Sequence, residues 1–260
     1  MKIVVLCKSV PTAISERTFV DGDFTTDRVG VDGLLSELDE YAVEEAMKIK
    51  EAGEATITVL TVGPPPAADA VRKALQMGAD AGVHIVDDAM HGSDALATSL
   101  VIAKALEKIG EYDIVMAGMA STDGERGVVP AMVAERLGIA HVGYLGNVEV
   151  ADGTVKGRRD GDAAVEHVTA PLPAVRGVTD QNNDPRYPSF KGIMAAKKKP
   201  AETWSLADLG VSPDDVGLSA AWTSVSQIDK RPPRSHGEVV ADEGDGGAKL
   251  VEFLASKKFV

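Results

Sequence analysis

The stretch Tyr112–Ala131, YDIVMAGMASTDGERGVVPA, joins an apolar run, a glycine-rich loop and the start of a helical pattern. Tyr112 to Ala117 has the character of a short buried strand, and Gly127 to Leu137 has the spacing of a helix. The loop between them carries a Ser-Thr-Asp cluster at residues 121–123. A parallel strand that passes through such a loop into a helix is the repeating unit of a doubly wound α/β fold. The stretch therefore predicts the fold class.

The residues before this stretch repeat the alternation of strand and helix. Apolar or β-branched runs predict strands at residues 3–7, 55–62 and 82–86, and helical patterns cover 39–52, 67–77 and a segment capped by Ser93 that ends at Ile109. A polar loop from Pro11 to about Gly33 follows the first strand. Four strands separated by helices imply right-handed crossovers, which predicts a parallel sheet with helices on both faces.

The pattern changes after Gly138. Short β-rich pieces follow, and Asp152-Gly153 is a strong hairpin signal, so we expect an antiparallel extension of the same domain. Near its carboxyl end the chain becomes polar and rich in Pro, Gly and charge, and then reaches the amphipathic stretch Lys249–Phe259. We predict a nucleotide-binding α/β domain over residues 1–200 and a C-terminal arm over residues 201–260. The last helix of the arm either docks on a partner or packs on its own domain.

Composition narrows the function classes. The chain has 260 residues, 44% of them hydrophobic and only 4% aromatic, which predicts a substantial aliphatic core. The net charge of −13 repels phosphate backbones, so nucleic acid is not expected as a partner, and the basic run Lys197–Lys199 stands out. No segment has the ~20 apolar residues of a membrane span. The single cysteine, Cys7, lies in an apolar run and predicts a buried thiol, which fits a reducing cytoplasm.

Three segments of the predicted sheet end at one edge, where ligands of doubly wound folds bind. They are residues 6–8, residues 62–63 and the loop Gly118–Ala131. Glycines let backbone N–H groups approach a phosphate, and a helix N-terminus adds free donors and a favourable dipole. Asp123 is suited to bind a hydroxyl group or to cap the turn. The spacing matches neither a Walker loop nor a dinucleotide fingerprint, and a loop that binds nothing stays equally open.

Residues for catalysis or metal binding are sparse in the sequence. The five histidines are scattered and have no metal-ligand spacing with the single cysteine, so no metal site is predicted. No nucleophile elbow is present. Glu44 and Glu45 lie within an amphipathic helical pattern, which favours a solvated face. The sequence thus predicts a binding site without a catalytic constellation.

Several stretches, in order, resemble the beta subunit of electron transfer flavoproteins. They are IVVLCKSVP, DEYAVEEAMKIKEAG, RKALQMGADAGVHI, GMASTDGERGVVPAMVAERLG and LPAVRGVTDQNNDPRYPSFKGIMAAKKKP. The similarity runs from Lys2 to about Pro200. Each short motif is weak alone, and their order together with DPRYPSFKGIMAAKKK makes the resemblance specific.

The resemblance implies an electron carrier and not an enzyme. In that family the beta subunit forms a heterodimer with an alpha subunit, which holds most of the FAD. The complex takes electrons from acyl-CoA dehydrogenases and other flavin dehydrogenases, as in fatty acid oxidation, and passes them to a membrane quinone oxidoreductase. The beta subunit commonly buries an AMP. We accordingly expect the arm over residues 201–260 to dock on the alpha subunit.

The resemblance also assigns nucleotide contacts by position. They fall on the three segments at the sheet edge: Leu6, Cys7, Val62, Gly118, Met119, Ser121, Asp123, Arg126, Gly127, Val128 and Val129. Some relatives place polar side chains at the helix start, whereas Gly127, Val128 and Val129 cannot donate side-chain hydrogen bonds. The phosphate is therefore expected on backbone N–H groups, together with Ser121 or Arg126.

A second site implied by the resemblance is a recognition loop at residues 184–199, which anchors partner dehydrogenases. Its partner-binding residues would be Tyr187, Phe190, Ile193, Met194, Lys197, Lys198 and Lys199. Phe190 corresponds to the apolar anchor, where relatives often have leucine, and the lysines would steer acidic partners. A surface helix packed on its own sheet is the competing interpretation.

Two alternative functions stay open. Some relatives carry a second FAD in place of AMP and perform electron bifurcation. Their loop resembles DGDTAQVGP, whereas residues 123–131 of this chain are DGERGVVPA, which favours AMP. The other alternative is an adenine-nucleotide-dependent transferase of a related α/β fold, for which the loop offers Asp123, Glu125 and Arg126.

Overall fold

The computed structural model describes residues 1–12, 14, 17–234, 236–237 and 239–260. Its contacts divide the chain into two compact units, Met1–Ser226 and Gln227–Val260. The first unit is an α/β domain, and the second contains a helix near its carboxyl end. Two residues of the predicted arm, Ser235 and Glu238, lie outside the described residues.

Strands and helices alternate through most of the first unit. The strands are β1 (Lys2–Leu6), β2 (Ser9–Pro11), β3 (Gly33–Leu35), β4 (Thr56–Val62), β5 (Ala81–Ile85), β6 (Ile114–Gly118), β7 (Ala140–Val142), β8 (Gly146–Ala151), β9 (Thr154–Asp160), β10 (Val165–Pro171), β11 (Ala174–Val178) and β12 (Ala201–Trp204). The helices are α1 (Glu37–Ala52), α2 (Ala68–Met77), α3 (Ala95–Ile109), α4 (Val129–Leu137), α5 (Phe190–Ala196), α6 (Leu206–Leu209), α7 (Gly217–Ala220) and, in the second unit, α8 (Gly246–Ser256).

The central sheet is parallel and confirms the predicted fold class. Its strand order is β12-β5-β4-β1-β6-β11-β7, and each neighbouring pair is parallel. The chain first builds outward from β1 through β4 and β5, and then crosses to the other side of β1 at β6. This switch creates a crevice at the carboxyl ends of β1 and β6, where ligands bind in such sheets.

The antiparallel extension is smaller than the sequence predicts. β8, β9 and β10 form an antiparallel sheet, and Asp152 and Gly153 make the predicted hairpin turn with φ angles of 51° and 70°. β7 and β11 instead join the central sheet, where β11 pairs with β6 in parallel. A short apolar strand carries no local signal for its pairing direction, which explains the difference.

Two helices begin one or two residues later than predicted. Asp94, and not Ser93, caps α3, because the Asp94 side chain accepts a backbone N–H of the first turn. Ser93 Oγ instead accepts the Gly217 N–H at 2.8 Å. α4 begins at Val129 because Gly127 has a φ of 64°, outside the helical region.

Alternate residues of the central strands enter two cores, one on each face of the sheet. In β1, Ile3 and Val5 pack with α1 and α2, whereas Val4 and Leu6 pack with α3 and α4. The buried members are aliphatic residues, methionines and Cys7, which confirms the predicted aliphatic core. Burial raises the pKa of the Cys7 thiol well above its usual value, as expected for a structural cysteine.

Residues 201–226 belong to the α/β domain. β12 pairs with β5 at the edge of the central sheet, and the following residues contribute to one core: Leu206, Leu209, Val211 and Val216. The division between the two compact units thus falls after Ser226, whereas the sequence predicts a boundary at residue 200. Elements of four residues have too little periodicity to be recognised in a sequence.

The second unit contains the predicted amphipathic helix. The α8 side chains Leu250, Val251 and Phe253 are exposed. In the part of the chain that the structure describes, no helix has the length and hydropathy to cross a membrane.

Candidate functional site

A cavity of about 990 Å³ opens at the carboxyl edge of the central sheet. Residues that follow four neighbouring strands line it: Cys7 and Lys8 after β1, Gly63 and Pro64 after β4, Val86 and Asp87 after β5, and Ala120 and Ser121 after β6. The cavity thus lies at the switch point between β1 and β6, and its size is that of a ligand pocket.

A segment that we call the strap, residues 17–29, borders the cavity and bonds to two of its loops. Arg17 donates to two carbonyl oxygens of the loop after β6, at 2.5 and 3.0 Å. Asp23 pairs with His91 Nε2, in the loop after β5, at 2.7 Å. The hydrogen bond from His91 lowers the pKa of Asp23 to about 2. The strap therefore bridges the loops that follow β5 and β6.

Asp123 joins three segments at the edge of the cavity. Its side chain has no exposed surface and accepts a hydrogen bond from Lys8 Nζ at 2.8 Å. Its second oxygen pairs with Arg28 of the strap. Burial raises the pKa of Asp123, but the charges of Lys8 and Arg28 outweigh burial and hold it below its usual range. Because both oxygens are engaged, Asp123 ties its loop to Lys8, which follows β1, and to the strap. The predicted binding of a hydroxyl group or capping of the turn by Asp123 stays a prediction.

Cations and apolar side chains share the cavity wall. Lys8, Arg28 and Arg126 line it, and burial lowers the pKa of Lys8. Arg28 Nε is buried and has no hydrogen-bond partner among the described residues, so it favours an acceptor on a ligand. The lining also includes the aliphatic side chains of Leu60 and Val101. This combination suits a molecule with an anionic group and a flat apolar ring.

Asp39, in the first turn of α1, lines the cavity and connects the end of β1 to β6. Its Oδ2 accepts the Lys8 N–H at 2.8 Å, and its Oδ1 accepts the Gly118 N–H at 3.1 Å. Burial raises the pKa of Asp39 to about 7, against the lowering effect of these two donors. A Cβ on Gly118 would lie 2.6 Å from Asp39 Oδ1 and from the Leu38 carbonyl oxygen. Glycine is therefore required where the strand meets the helix.

Most of the predicted nucleotide contacts line the cavity. The lining residues are Leu6, Cys7, Val62, Gly118, Ser121, Arg126, Gly127 and Val129. Met119, Asp123 and Val128 are not in the lining, and Val128 is exposed. Contact of any of these residues with a nucleotide stays a prediction.

Sequence reasoning missed the strap and its partners. Arg28 and His91 lie in polar loops without periodicity, and their partners are 95 and 68 residues away in the sequence. No local pattern connects residues at such separations. The sequence does mark Asp39 as an acidic residue at the start of a helix. Such residues usually only complement the helix dipole, so this position alone does not predict a role at the cavity.

The recognition loop presents its predicted apolar residues to solvent. Exposed fractions are 93% for Tyr187, 81% for Phe190, 37% for Ile193 and 49% for Met194. The other side of α5 packs closely on α2, since a Cβ on Gly192 would lie 2.5 Å from the Gln76 carbonyl oxygen. α5 is therefore a surface helix that packs on a neighbouring helix and also exposes the apolar side chains predicted to bind partners.

The three lysines of the recognition loop differ. Lys197 and Lys198 are exposed. Lys199 Nζ donates to the Leu75 carbonyl oxygen at 2.8 Å, and burial lowers the pKa of Lys199. Lys199 thus binds the end of α5 to α2. The steering of partners by Lys197, Lys198 and Lys199 stays a prediction.

The prediction that Glu44 and Glu45 form a solvated face is wrong, because both are buried. Glu44 accepts hydrogen bonds from Arg186 Nε and Nη2 at 2.7 and 2.9 Å. Glu45 accepts from Arg176 Nη1 and Asn183 Nδ2, each at 3.1 Å. Helical periodicity places these carboxylates on a face but cannot reveal cations that lie 142 and 131 residues away.

The described residues contain no group of three or more His, Cys, Asp or Glu side chains that could hold a metal ion. The structure thus has a cavity at the carboxyl edge of the sheet and, elsewhere on the domain, a loop with exposed apolar side chains. A doubly wound sheet with a ligand cavity at its switch point defines the broad class of ligand-binding α/β proteins.

Comparison with known proteins gives the family. Residues 23–209 match the electron transfer flavoprotein domain. The electron transfer flavoprotein subunit beta of Mycobacterium tuberculosis is 47% identical over 263 residues, covering 99% of each chain. The same subunit of Clostridium acetobutylicum is 37% identical over 241 residues, covering 92% of each. The caffeyl-CoA reductase-Etf complex subunit CarD of Acetobacterium woodii is 34% identical over 263 residues, covering 100% of each. The chain belongs to the electron transfer flavoprotein family and is similar to its beta subunits over its full length.

Proposed function

We propose that the chain is the beta subunit of a heterodimeric electron transfer flavoprotein. It pairs with an alpha subunit that holds most of the FAD. The complex carries electrons from acyl-CoA dehydrogenases and other flavin dehydrogenases to a membrane quinone oxidoreductase, in the cytoplasm and as part of fatty acid oxidation. The chain is then a carrier subunit and not an enzyme. The observation that carries this proposal is the full-length similarity to beta subunits.

The cavity supports AMP as the nucleotide of this subunit. Leu60 and Val101 offer apolar contact to an adenine ring, and Lys8, Arg28 and Arg126 offer positive charge to a phosphate. Since the start of α4 lacks side-chain donors, the phosphate would rest on backbone N–H groups of the loop after β6. AMP adds no redox chemistry, and FAD supplies the group that carries electrons.

Two parts of this chain would perform separate tasks. The strap, Asp123 and Asp39 enclose and shape the nucleotide cavity. The recognition loop offers Phe190 to a pocket of a reduced dehydrogenase, while Lys197 and Lys198 attract acidic partners. An anchor of this kind concentrates binding energy in one side chain and leaves the rest of the complex free to move.

The two alternative functions, a bifurcating subunit with a second FAD and a nucleotide transferase, make different demands on the cavity. A second FAD in place of AMP, as in bifurcating relatives, is compatible with a volume of about 990 Å³. The sequence of the loop, DGERGVVPA, favours AMP. A nucleotide transferase would need carboxylates available for a metal ion, whereas Asp123 is engaged by Lys8 and Arg28.

Nucleotide extraction from the complex tests the proposal. The chain is co-expressed with its alpha subunit, an absorption spectrum is recorded, and the denatured complex is analysed by chromatography. We expect a yellow complex that releases equimolar FAD and AMP. Release of FAD alone in twofold amount would favour the bifurcating alternative, and a colourless protein that consumes ATP would favour the transferase. Release of no nucleotide other than a single FAD would contradict the cavity assignment.

A further inference from the structure

The recognition loop is held by buried carboxylates of α1 in the absence of any partner. We propose that Glu44 and Glu45 form a clamp that positions the recognition loop for docking. This inference rests on the proposed function of that loop. The clamp consists of Glu44, Glu45 and the side chains they bind, Arg176, Asn183 and Arg186.

Glu44 holds the start of the recognition loop through Arg186. Arg186 Nε and Nη2 donate to the two Glu44 oxygens at 2.7 and 2.9 Å, and the Arg186 backbone N–H donates to Glu44 Oε2 at 3.2 Å. Glu51, two turns further along α1, accepts from Arg186 Nη1 at 2.5 Å. A bidentate pair between arginine and carboxylate determines orientation as well as position. The backbone immediately before Tyr187 therefore has a defined place on α1.

Glu45 connects the segment before the recognition loop to the central sheet. Its Oε1 accepts from Arg176 Nη1 in β11, and its Oε2 accepts from Asn183 Nδ2, each at 3.1 Å. Asn183 Nδ2 also lies 3.1 Å from the Tyr41 carbonyl oxygen. Because Arg176 is fully buried, its charge needs Glu45 as a partner, which couples the sheet to α1. The chain between β11 and Arg186 is thus held by adjacent carboxylates of one helix.

The carboxyl-terminal half of the recognition loop is held by α2. Ser189 Oγ accepts the Gly192 N–H at 3.0 Å and caps α5. Gly192 allows α5 to approach the backbone of α2, and Lys199 bonds to the Leu75 carbonyl oxygen. Phe190 is therefore exposed between two restrained ends.

Restraint of the free loop has a consequence for docking. Ordering a flexible segment on binding costs conformational entropy, and a segment already ordered avoids much of that cost. Exposed aromatic side chains on a loose segment would also contact nearby apolar surface instead of a partner. The clamp therefore acts on affinity for the partner and not on the electron-transfer step itself.

The substitution Glu44→Gln, made in the co-expressed heterodimer, tests the clamp. Glu40→Gln is the matched control, because Glu40 lies on the same helix but faces Lys73. Hydrogen exchange of residues 184–196 is measured in the free complex. Electron transfer from an acyl-CoA dehydrogenase is then measured with the complex as the varied substrate. We expect roughly ten-fold faster exchange in the recognition loop and a KM roughly five- to ten-fold higher, with kcat and flavin content unchanged. Glu40→Gln should match the wild type in both measurements.

Three outcomes separate the clamp from the proposed function. Unchanged exchange in Glu44→Gln would overturn the clamp. The clamp would also be overturned if Glu44→Gln exchanges faster but keeps the wild-type KM while Phe190→Ala raises the KM. The loop would then dock without being held. If neither substitution changes the KM, the docking role of the loop is overturned together with the role of the clamp in docking, and faster exchange then shows only that Glu44 restrains the loop. If the Glu44→Gln chain does not assemble with the alpha subunit, Arg186→Gln replaces it in the test. Unchanged hydrogen exchange in the Arg186→Gln complex would overturn the clamp.

Discussion

Asp39 is a buried acid whose proton links folding to pH. Its pKa is about 7 in the folded protein, against an ordinary value of 3.8. Between these pH values the folded protein retains a proton that the unfolded chain releases. The contribution of Asp39 to stability is therefore fully present below about pH 4 and is lost as the pH rises through 7.

We expect Asp39→Asn to remove this pH dependence. The free energy of unfolding of the wild type, relative to the variant, should fall by up to about 1.4 kcal/mol per pH unit between the two pKa values. Above the folded-state pKa of about 7, the difference in unfolding free energy between the wild type and the variant should be constant. Denaturant unfolding of both proteins at equal concentration, from about pH 4 to about pH 8, measures the difference. A difference that does not vary with pH would contradict the raised pKa.

Asp123 should control how fast the proposed nucleotide leaves. Asp123→Asn removes the charge that holds Lys8 and Arg28, so the strap loses its ion pair with the loop after β6 and keeps only the hydrogen bonds from Arg17. Release of bound AMP should accelerate ~10-fold or more, equivalent to ~1.4 kcal/mol. Exchange against labelled AMP gives the rate. Asp21→Asn, an exposed position of the same strap, is the control and should release AMP at the wild-type rate.

At the scale of elements, the sequence predicts what depends on local patterns. The first four strands of the central sheet and their helices are confirmed, because apolar runs and helical spacing are local signals. The placement of β11 and β12 depends on pairing partners elsewhere in the chain. The same limit applies to the site: the glycine-rich loop is visible in the sequence, whereas the Asp123–Arg28 pair and the Glu44–Arg186 pair join distant segments.

The exposed end of α5 should act in recognition and not in folding. We expect Phe190→Ala to weaken association with an acyl-CoA dehydrogenase roughly thirty-fold, or about 2 kcal/mol, because an interface anchor is desolvated only in the complex. The melting temperature should barely change, since the side chain is 81% exposed. Stopped-flow reduction by the reduced dehydrogenase and a thermal melt test both statements. A variant that melts much earlier but accepts electrons normally would show a core role for Phe190.

At the scale of the whole molecule, α8 is the element that we propose to dock on the alpha subunit. Deleting Lys249 to Val260 removes its exposed apolar side chains, so the dissociation constant of the heterodimer should rise roughly ten-fold or more. Titration of one subunit with the other measures this constant. Glu252→Ala, on the same helix, is the control. Equal assembly of the truncated and full-length chains would contradict the docking proposal.

Helix α1 serves both sites, with Asp39 at the cavity and Glu44, Glu45 and Glu51 at the recognition loop. Asp39 and Glu51 are separated by about 18 Å of helix, at 1.5 Å per residue. A chimera that receives the recognition loop of another family member would keep the loop geometry only if matching acidic positions of α1 are transplanted with it. The transplanted helix must also bring a carboxylate to position 39, or the graft would disturb the nucleotide cavity. If the recognition loop selects the partners, as we propose, a change of partner range therefore requires the loop and α1 to be exchanged together.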